Sequence, residues 1–366
     1  MSSIDKNTKY LIALSCFLKF GPARIKKLKK YFYNNYETAF KADINKLINA
    51  GIDEKTAYEF ISERKKIYPD QIIEKLNKEK IKIIKLNDDN YPRLLSEIYD
   101  PPALLYCKGN LKKDEYCIGI VGTRKVSSYG KQVTEDFASK LTKSNLTIVS
   151  GMALGVDSFA HNAVLKLKSR TIAVLGTGID DKSIYPRSNY YLSKKIVSEG
   201  GAVISEFPIG TLPLRYNFPQ RNRIISGLSL GVLVVEAGEK SGALITASCA
   251  LDQNRDVFAT PGNIYSTVSV GPNNLIKQGA KLVTKAEEIL EFLNIEQAVS
   301  FSENKKILPE TKEEELIINC LSHEAVHIDT IIRQTNLATN KVGSILIMME
   351  MKGMIKNIGG MMYVIL

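Results

Sequence analysis

From residue 116 onward the chain repeats one pattern, and that pattern constrains its fold more than any other feature. Short apolar runs, each closed by glycine or a polar turn, alternate with helical segments: CIGIVG, LTIVSG, TIAVLGTG, AVISEFP, GVLVVEAG, DVFATPG and KLVT. A strand that faces water on one side alternates apolar and polar residues, whereas nearly continuous apolar strands are covered on both faces. Parallel strands also need long crossovers, and the helical segments supply them. The pattern therefore predicts an α/β core, a Rossmann-like open parallel sheet covered by helices. One intervening helix carries Val133, Phe137 and Leu141 at four-residue steps, a single core-facing stripe.

The flanks read differently. Residues 1–85 show helix-period apolar positions (Leu11, Leu14, Cys16, Leu18; then Ile25, Leu28, Phe32) broken at Gly21-Pro22 and Gly51, which predicts a small helical domain of the SAM or helix-hairpin-helix kind. In FGPARIKKLKKYF, N–H groups at a helix start and nearby lysines suit a phosphate, although a solvated lysine face on a structural helix has the same look. The polar stretch at 297–312 reads as a linker between the sheet domain, 86–298, and a C-terminal domain, 309–366. Helical patterns at 313–321, 329–334 and 340–352, followed by the Gly-Gly hairpin of MIKNIGGMMYVI, predict a winged helix there.

Charge is uneven along the chain. The net charge is +11, and residues 1–85 hold 19 Lys/Arg against 10 Asp/Glu, residues 86–298 hold 24 against 21, and residues 299–366 hold 7 against 8. A polyanionic partner is implied, mostly for the first third. Five cysteines without a CxxC pair argue against a disulfide framework or thiolate metal site. No apolar run approaches the roughly 18 residues of a membrane span, so a cytoplasmic location is expected.

The loops after the strands should converge on one crevice at the carboxyl edge of the sheet. In GIVGTRKVSSYGK, Gly119 and Gly122 permit a sharp turn, Ser127 or Ser128 can cap the next helix, and its open N–H groups suit a phosphate, with Arg124 in the same turn. In SGMALGVDSFAH, Asp157 is expected to cap a helix rather than to act as an acid. VLGTGIDDKSIYPRSN has Asp181 where a dinucleotide fingerprint would place its third glycine, which argues against NAD, so no cofactor is expected. Its tip sets Tyr185 beside Arg187. In NFPQRNRIISGLS, Arg221 and Arg223 flank Asn222, and two arginines at that spacing are not expected both to face the core, so at least one should serve a ligand or a buried pair. Phe218 either stacks on a base or anchors the core. Ser241 and Gly242 open a further helix with free N–H donors.

These strings, together with YPRLLSEIYDPPALLYCKGN, SEFPIGTLPLRYNFPQRNRIISGLS, VVEAGEKSGALITA and ATPGNI, stand in the order found in the DNA-processing protein A family (DprA, also called Smf), which the chain resembles over roughly residues 88–290. The resemblance implies a protein that binds and shields single-stranded DNA during natural transformation, loads the RecA recombinase and forms homodimers through the Rossmann-like domain. By similarity Arg124, Arg187, Asn217, Phe218, Arg221, Asn222 and Arg223 would contact DNA. Leu154 departs from the family pattern, replacing an arginine at the crevice rim.

Rival readings are weaker in the residues themselves. His323-Glu324-Ala325-Val326-His327 matches a zinc-protease string but lacks a nearby third ligand, so no metal is expected. A nucleotide-processing enzyme of the lysine-decarboxylase-like (phosphoribohydrolase) fold would need a carboxylate where EAGEKSGALIT has Thr246, so no enzymatic activity is expected. A regulator reading DNA through the winged helix would need more cations than NKVGSILIMMEMK offers.

Overall fold

The computed structural model describes residues 4–294, 311–321, 326–352, 354–357 and 359–365. They form two compact units, Met1–Ile289 and Leu290–Leu366.

The first unit is built on a nine-stranded sheet of β1 (Lys82–Lys85), β2 (Leu104–Gly109), β3 (Cys117–Val121), β4 (Thr147–Ser150), β5 (Thr171–Leu175), β6 (Ala202–Ser205), β7 (Gly231–Val234), β8 (Asp256–Ala259) and β9 (Lys281–Leu282). Their order is β1-β2-β6-β5-β4-β3-β7-β8-β9. The seven strands from β3 onward pair in parallel, as the apolar runs require, and β3 to β7 are buried along their whole length. The sequence pattern does not announce β1 and β2. They add an antiparallel edge beside β6, so the sheet begins at Lys82, inside the segment read as helical.

Helices in the N-terminal segment begin at local caps: the side chains of Asp5, Asn35, Asp43 and Asp53 accept from the backbone N–H of Thr8, Thr38, Lys46 and Thr56. Such caps satisfy N–H groups that no helical carbonyl reaches. The helices close over Phe17, Phe20, Phe40 and Phe60, whose neighbouring rings lie 4.6 to 5.9 Å apart. This cluster runs into the sheet through Leu104, Tyr106, Leu175 and Val203, and Ser15 Oγ meets Tyr106 Oη at 2.8 Å. The N-terminal helices and one sheet face thus share a single core.

The second unit packs helices Lys312–Cys320, Ile328–Thr335 and Thr339–Met351 against β10 (Val326–His327), β11 (Ile355–Asn357) and β12 (Met362–Ile365), ordered β10-β12-β11. Ile317, Ile331, Val342, Leu346, Met349 and Tyr363 form its core. This is the predicted winged helix. The linker expected at 297–312 lies largely outside the described residues, as does most of the HEAVH string.

Candidate nucleic-acid interface

The chain leaves β3 toward β4, β5 and β6 and returns to lay β7 on the other side of β3. Loops from β3 and β7 therefore diverge and open a crevice beyond the strands' carboxyl ends. A cavity of about 390 Å³ occupies it. Thr123 and Arg124 line it from the turn after β3, and Ala153 and Asp157 from the turn after β4. Lys240, Ser241 and Gly242 close it from the β7 side. Its floor is the Asn217–Leu228 helix, through Phe218, Arg221 and Asn222.

Phe218 organises the cations. Arg124 Cζ stands 5.6 Å and Arg221 Cζ 6.0 Å from its ring centroid, with Tyr185 6.1 Å away. The ring edge rests on Gly176, where a Cβ would come within 2.9 Å, so glycine is needed for this seat. Arg124 is exposed and has no carboxylate partner among the described residues. Arg221, only 5% exposed, donates from Nη1 to Gly151 O at 2.7 Å and also to Val174 O, and from Nε to Asn222 Oδ1 at 3.1 Å. Burial pushes its guanidinium down to about 10, which leaves it charged at neutral pH.

The carboxylate in the cavity wall is already engaged. Asp157 Oδ2 accepts from Gly151 N at 3.1 Å and Ala153 N at 3.2 Å. It lies inside the Val156–Lys166 helix and braces the preceding loop, so the expected helix cap is corrected: Gly155 holds that position. Burial raises the Asp157 pKa and the Arg221 charge opposes the rise.

Other expectations also change. Ser127 caps the Ser128–Lys143 helix as predicted, its Oγ accepting from Gly130 N at 3.0 Å, and its own N–H is not left open for a phosphate. Glu236 accepts from Ser127 N at 2.9 Å and from Ser127 Oγ at 2.5 Å, so an internal carboxylate fills that position. Arg221 and Arg223 are both buried, against the expectation that they would not both face the core, because the helix carrying them is covered on nearly all sides, and Arg223 serves a buried pair, as expected of at least one of them. Arg223 points away from the crevice, its Nε 3.1 Å from Asp100 Oδ2 and its Nη2 paired with Glu206 Oε2. Arg187 donates to Asp181 O and lies 5.0 Å over the Tyr190 ring, outside the cavity lining. Asn217 is fully buried and donates to Leu212 O at 3.2 Å, supporting the rim loop.

Of the residues named from sequence, Arg124, Phe218, Arg221, Asn222, Ser241 and Gly242 therefore meet at one cavity, and Arg187, Asn217 and Arg223 do not. Ser241 Oγ accepts from Ala243 N at 3.3 Å and Asn222 Nδ2 donates to Gly242 O at 3.0 Å, which ties that helix start to the floor. Lys240 was missed, since Glu239 beside it cancels its charge in any linear count; its place just before the Ser-Gly helix start was the available signal. Thr246 is buried in the cavity wall.

Comparison with known proteins shows the family. The model of DNA recombination-mediator protein A matches residues 82–294, and the DprA winged helix domain matches residues 303–361. The chain belongs to the DNA recombination-mediator protein A family. Within this family, protein Smf of Synechocystis is 36% identical over 97% of this chain and 98% of its own length. The DNA processing protein DprA of Bacillus subtilis is 45% identical over 61% of this chain and 74% of its own. Two solved structures of DNA processing protein A are similar. DprA of Streptococcus pneumoniae superposes with a TM-score of 0.66 at 37% identity, covering 79% of this chain and 98% of that one. DNA processing protein A of Helicobacter pylori, described for its single-stranded DNA binding mode, superposes with a TM-score of 0.51 at 30% identity, covering 58% and 95%.

Proposed function

We propose that the cavity holds the backbone of single-stranded DNA, and that the chain is a recombination mediator that shields such DNA and loads RecA onto it. One observation carries the reading: an exposed and a buried arginine flank the same phenylalanine ring, in a crevice whose carboxylate is engaged by backbone N–H groups. Guanidinium groups pair with phosphate oxygens, a ring accepts any base face, and the helix-start N–H of Gly242 adds a donor, that of Ser241 being taken by Gly238 O at 3.0 Å. Nothing in this set reads sequence. Affinity should come from phosphate neutralisation and fall with salt, with a log-log slope near −0.7 per phosphate.

The single-stranded DNA binding described for the Helicobacter pylori relative supports the reading. The RecA partnership, homodimerisation through the Rossmann-like unit and a cytoplasmic location belong to the same proposal, carried by the family resemblance. In this proposal the chain is not an enzyme, since Thr246 supplies no general acid or base and Asp157 is held by two N–H groups. The test is titration of single- and double-stranded oligonucleotides against wild type and Arg124→Ala, with nucleotide turnover followed in the same samples. Arg124→Ala is expected to stay folded and lose single-strand affinity at least tenfold. Unchanged affinity, or turnover of nucleotide, would overturn the proposal.

A further inference from the structure

We propose that the Pro22–Tyr31 helix and the turn after it form a second contact surface for the same single strand, beyond the cavity; this rests on the function proposed above. The helix, PARIKKLKKY, has five cations and no carboxylate. Ile25 and Leu28 bury its inner face. Two cations are engaged within the fold: Arg24 Nη2 lies 2.8 Å from Asp53 Oδ2, and Lys27 Nζ donates to Gly51 O at 2.9 Å. Lys26, Lys29 and Lys30 have no carboxylate partner among the described residues.

A lysine in the last turn of a helix complements the helix dipole, and Lys29 and Lys30 would do so in any protein. That account covers neither Lys26 nor the aromatic residues beside it. Tyr31 is 40% exposed and Tyr33 is 91% exposed. With Lys27, Lys30, Asn49 and Ala50 they line a shallow depression of about 670 Å³ that has no carboxylate in its wall. Cations interleaved with exposed rings are the composition of a surface that tracks a phosphate backbone and stacks bases without reading them. An anionic membrane fits less well. A helix lying on lipid needs an apolar outer face, whereas the aliphatic residues of this one point inward and its outer face offers lysine and tyrosine.

A cleft lies between the start of this helix and the helix that floors the cavity. Its volume is about 500 Å³, and it is lined on one side by Lys19, Gly21 and Arg24, and on the other by Tyr216, Gln220 and Arg223, with Asp100 and Glu206 in its wall engaged by Arg223. Gln220 shares its helix with Phe218 and Arg221, so a strand crossing that helix from the cavity meets the cleft and then the lysines.

The experiment compares full-length wild type, Lys26→Gln/Lys30→Gln and Tyr33→Ala on oligothymidylates of roughly 6 and roughly 30 nucleotides. All three substituted side chains are exposed, and circular dichroism checks that the variants fold. The short oligonucleotide should bind all three proteins equally. The long one should bind Lys26→Gln/Lys30→Gln roughly tenfold more weakly, with a salt slope shallower by about 1.4, and Tyr33→Ala severalfold more weakly. Unchanged affinity for the long oligonucleotide overturns the proposal. So does an equal loss on both lengths, or a loss confined to vesicles containing phosphatidylserine. If wild type binds neither length, the function proposed for the cavity fails first.

Discussion

Glu236, at the end of β7, holds Ser127, at the end of the turn after β3, by two hydrogen bonds: Oε2 accepts the backbone N–H at 2.9 Å and Oε1 the hydroxyl at 2.5 Å. The helix that begins there would otherwise present open N–H groups to an anion, as first helices of nucleotide-binding sheets do. A Cβ on Gly130 would lie 2.2 Å from Glu236 Oε2, so glycine is required for the carboxylate to sit there. Glu236→Ala should cost about 1 to 3 kcal/mol through the lost hydrogen bonds. It should also make the protein responsive to inorganic phosphate. Thermal unfolding with and without phosphate checks this: the variant should melt lower and gain more from phosphate than wild type does.

Arg221 is held where a Cβ on Gly151 would stand 2.5 Å from its Nη1. Gly151→Ala should therefore displace the guanidinium from the cavity floor without removing its charge. The expected stability loss is about 1 to 3 kcal/mol, as for other overpacked sites. Single-strand affinity should fall severalfold although Arg124 is intact. Unfolding by urea and oligonucleotide titration of the same preparation separate the two effects.

His161 lies buried behind the cavity, its Nδ1 2.8 Å from Thr171 Oγ1, and burial together with the Arg221 charge pushes its pKa down to about 3. The unfolded chain takes up a proton near the ordinary value of about 6.5 and the folded chain does not. Stability contributed by neutral His161 is therefore complete above pH 6.5 and is lost as pH falls toward 3, by on the order of 4 kcal/mol. Asp157 and Glu206, both raised by burial, act in the opposite sense at the acid end of this range. His161→Gln should flatten the fall of melting temperature between pH 6.5 and 4, measured in a series of buffers at constant ionic strength.

The winged-helix unit is nearly neutral, and its Thr339–Met351 helix exposes Ile347 and Met348 where a groove-reading helix would expose cations. Met1–Ile289 is a compact unit by itself. Deleting residues 309–366 should leave single-strand affinity within about twofold of wild type at fixed salt. A larger loss, measured by fluorescence anisotropy, would assign DNA contact to the C-terminal unit.

The alternation of apolar runs and helices determined the parallel sheet, because a strand buried on both faces has to be apolar at nearly every position. The glycine and serine turns after those runs determined where the crevice would lie, since loops at one sheet edge converge whatever their length. Which arginine faces that crevice was decided only in three dimensions. Arg221 and Arg223 belong to the same short string, yet Asp100 and Glu206, distant in sequence, draw Arg223 to the far side of the helix. Carbonyls of Gly151 and Val174 hold Arg221 on the near side. Glu236 likewise reaches a helix start 109 residues away. Local spacing sets the direction in which a side chain leaves its helix; the charge that neutralises a buried cation comes from whichever carboxylate the fold brings beside it, and no linear pattern carries that distance.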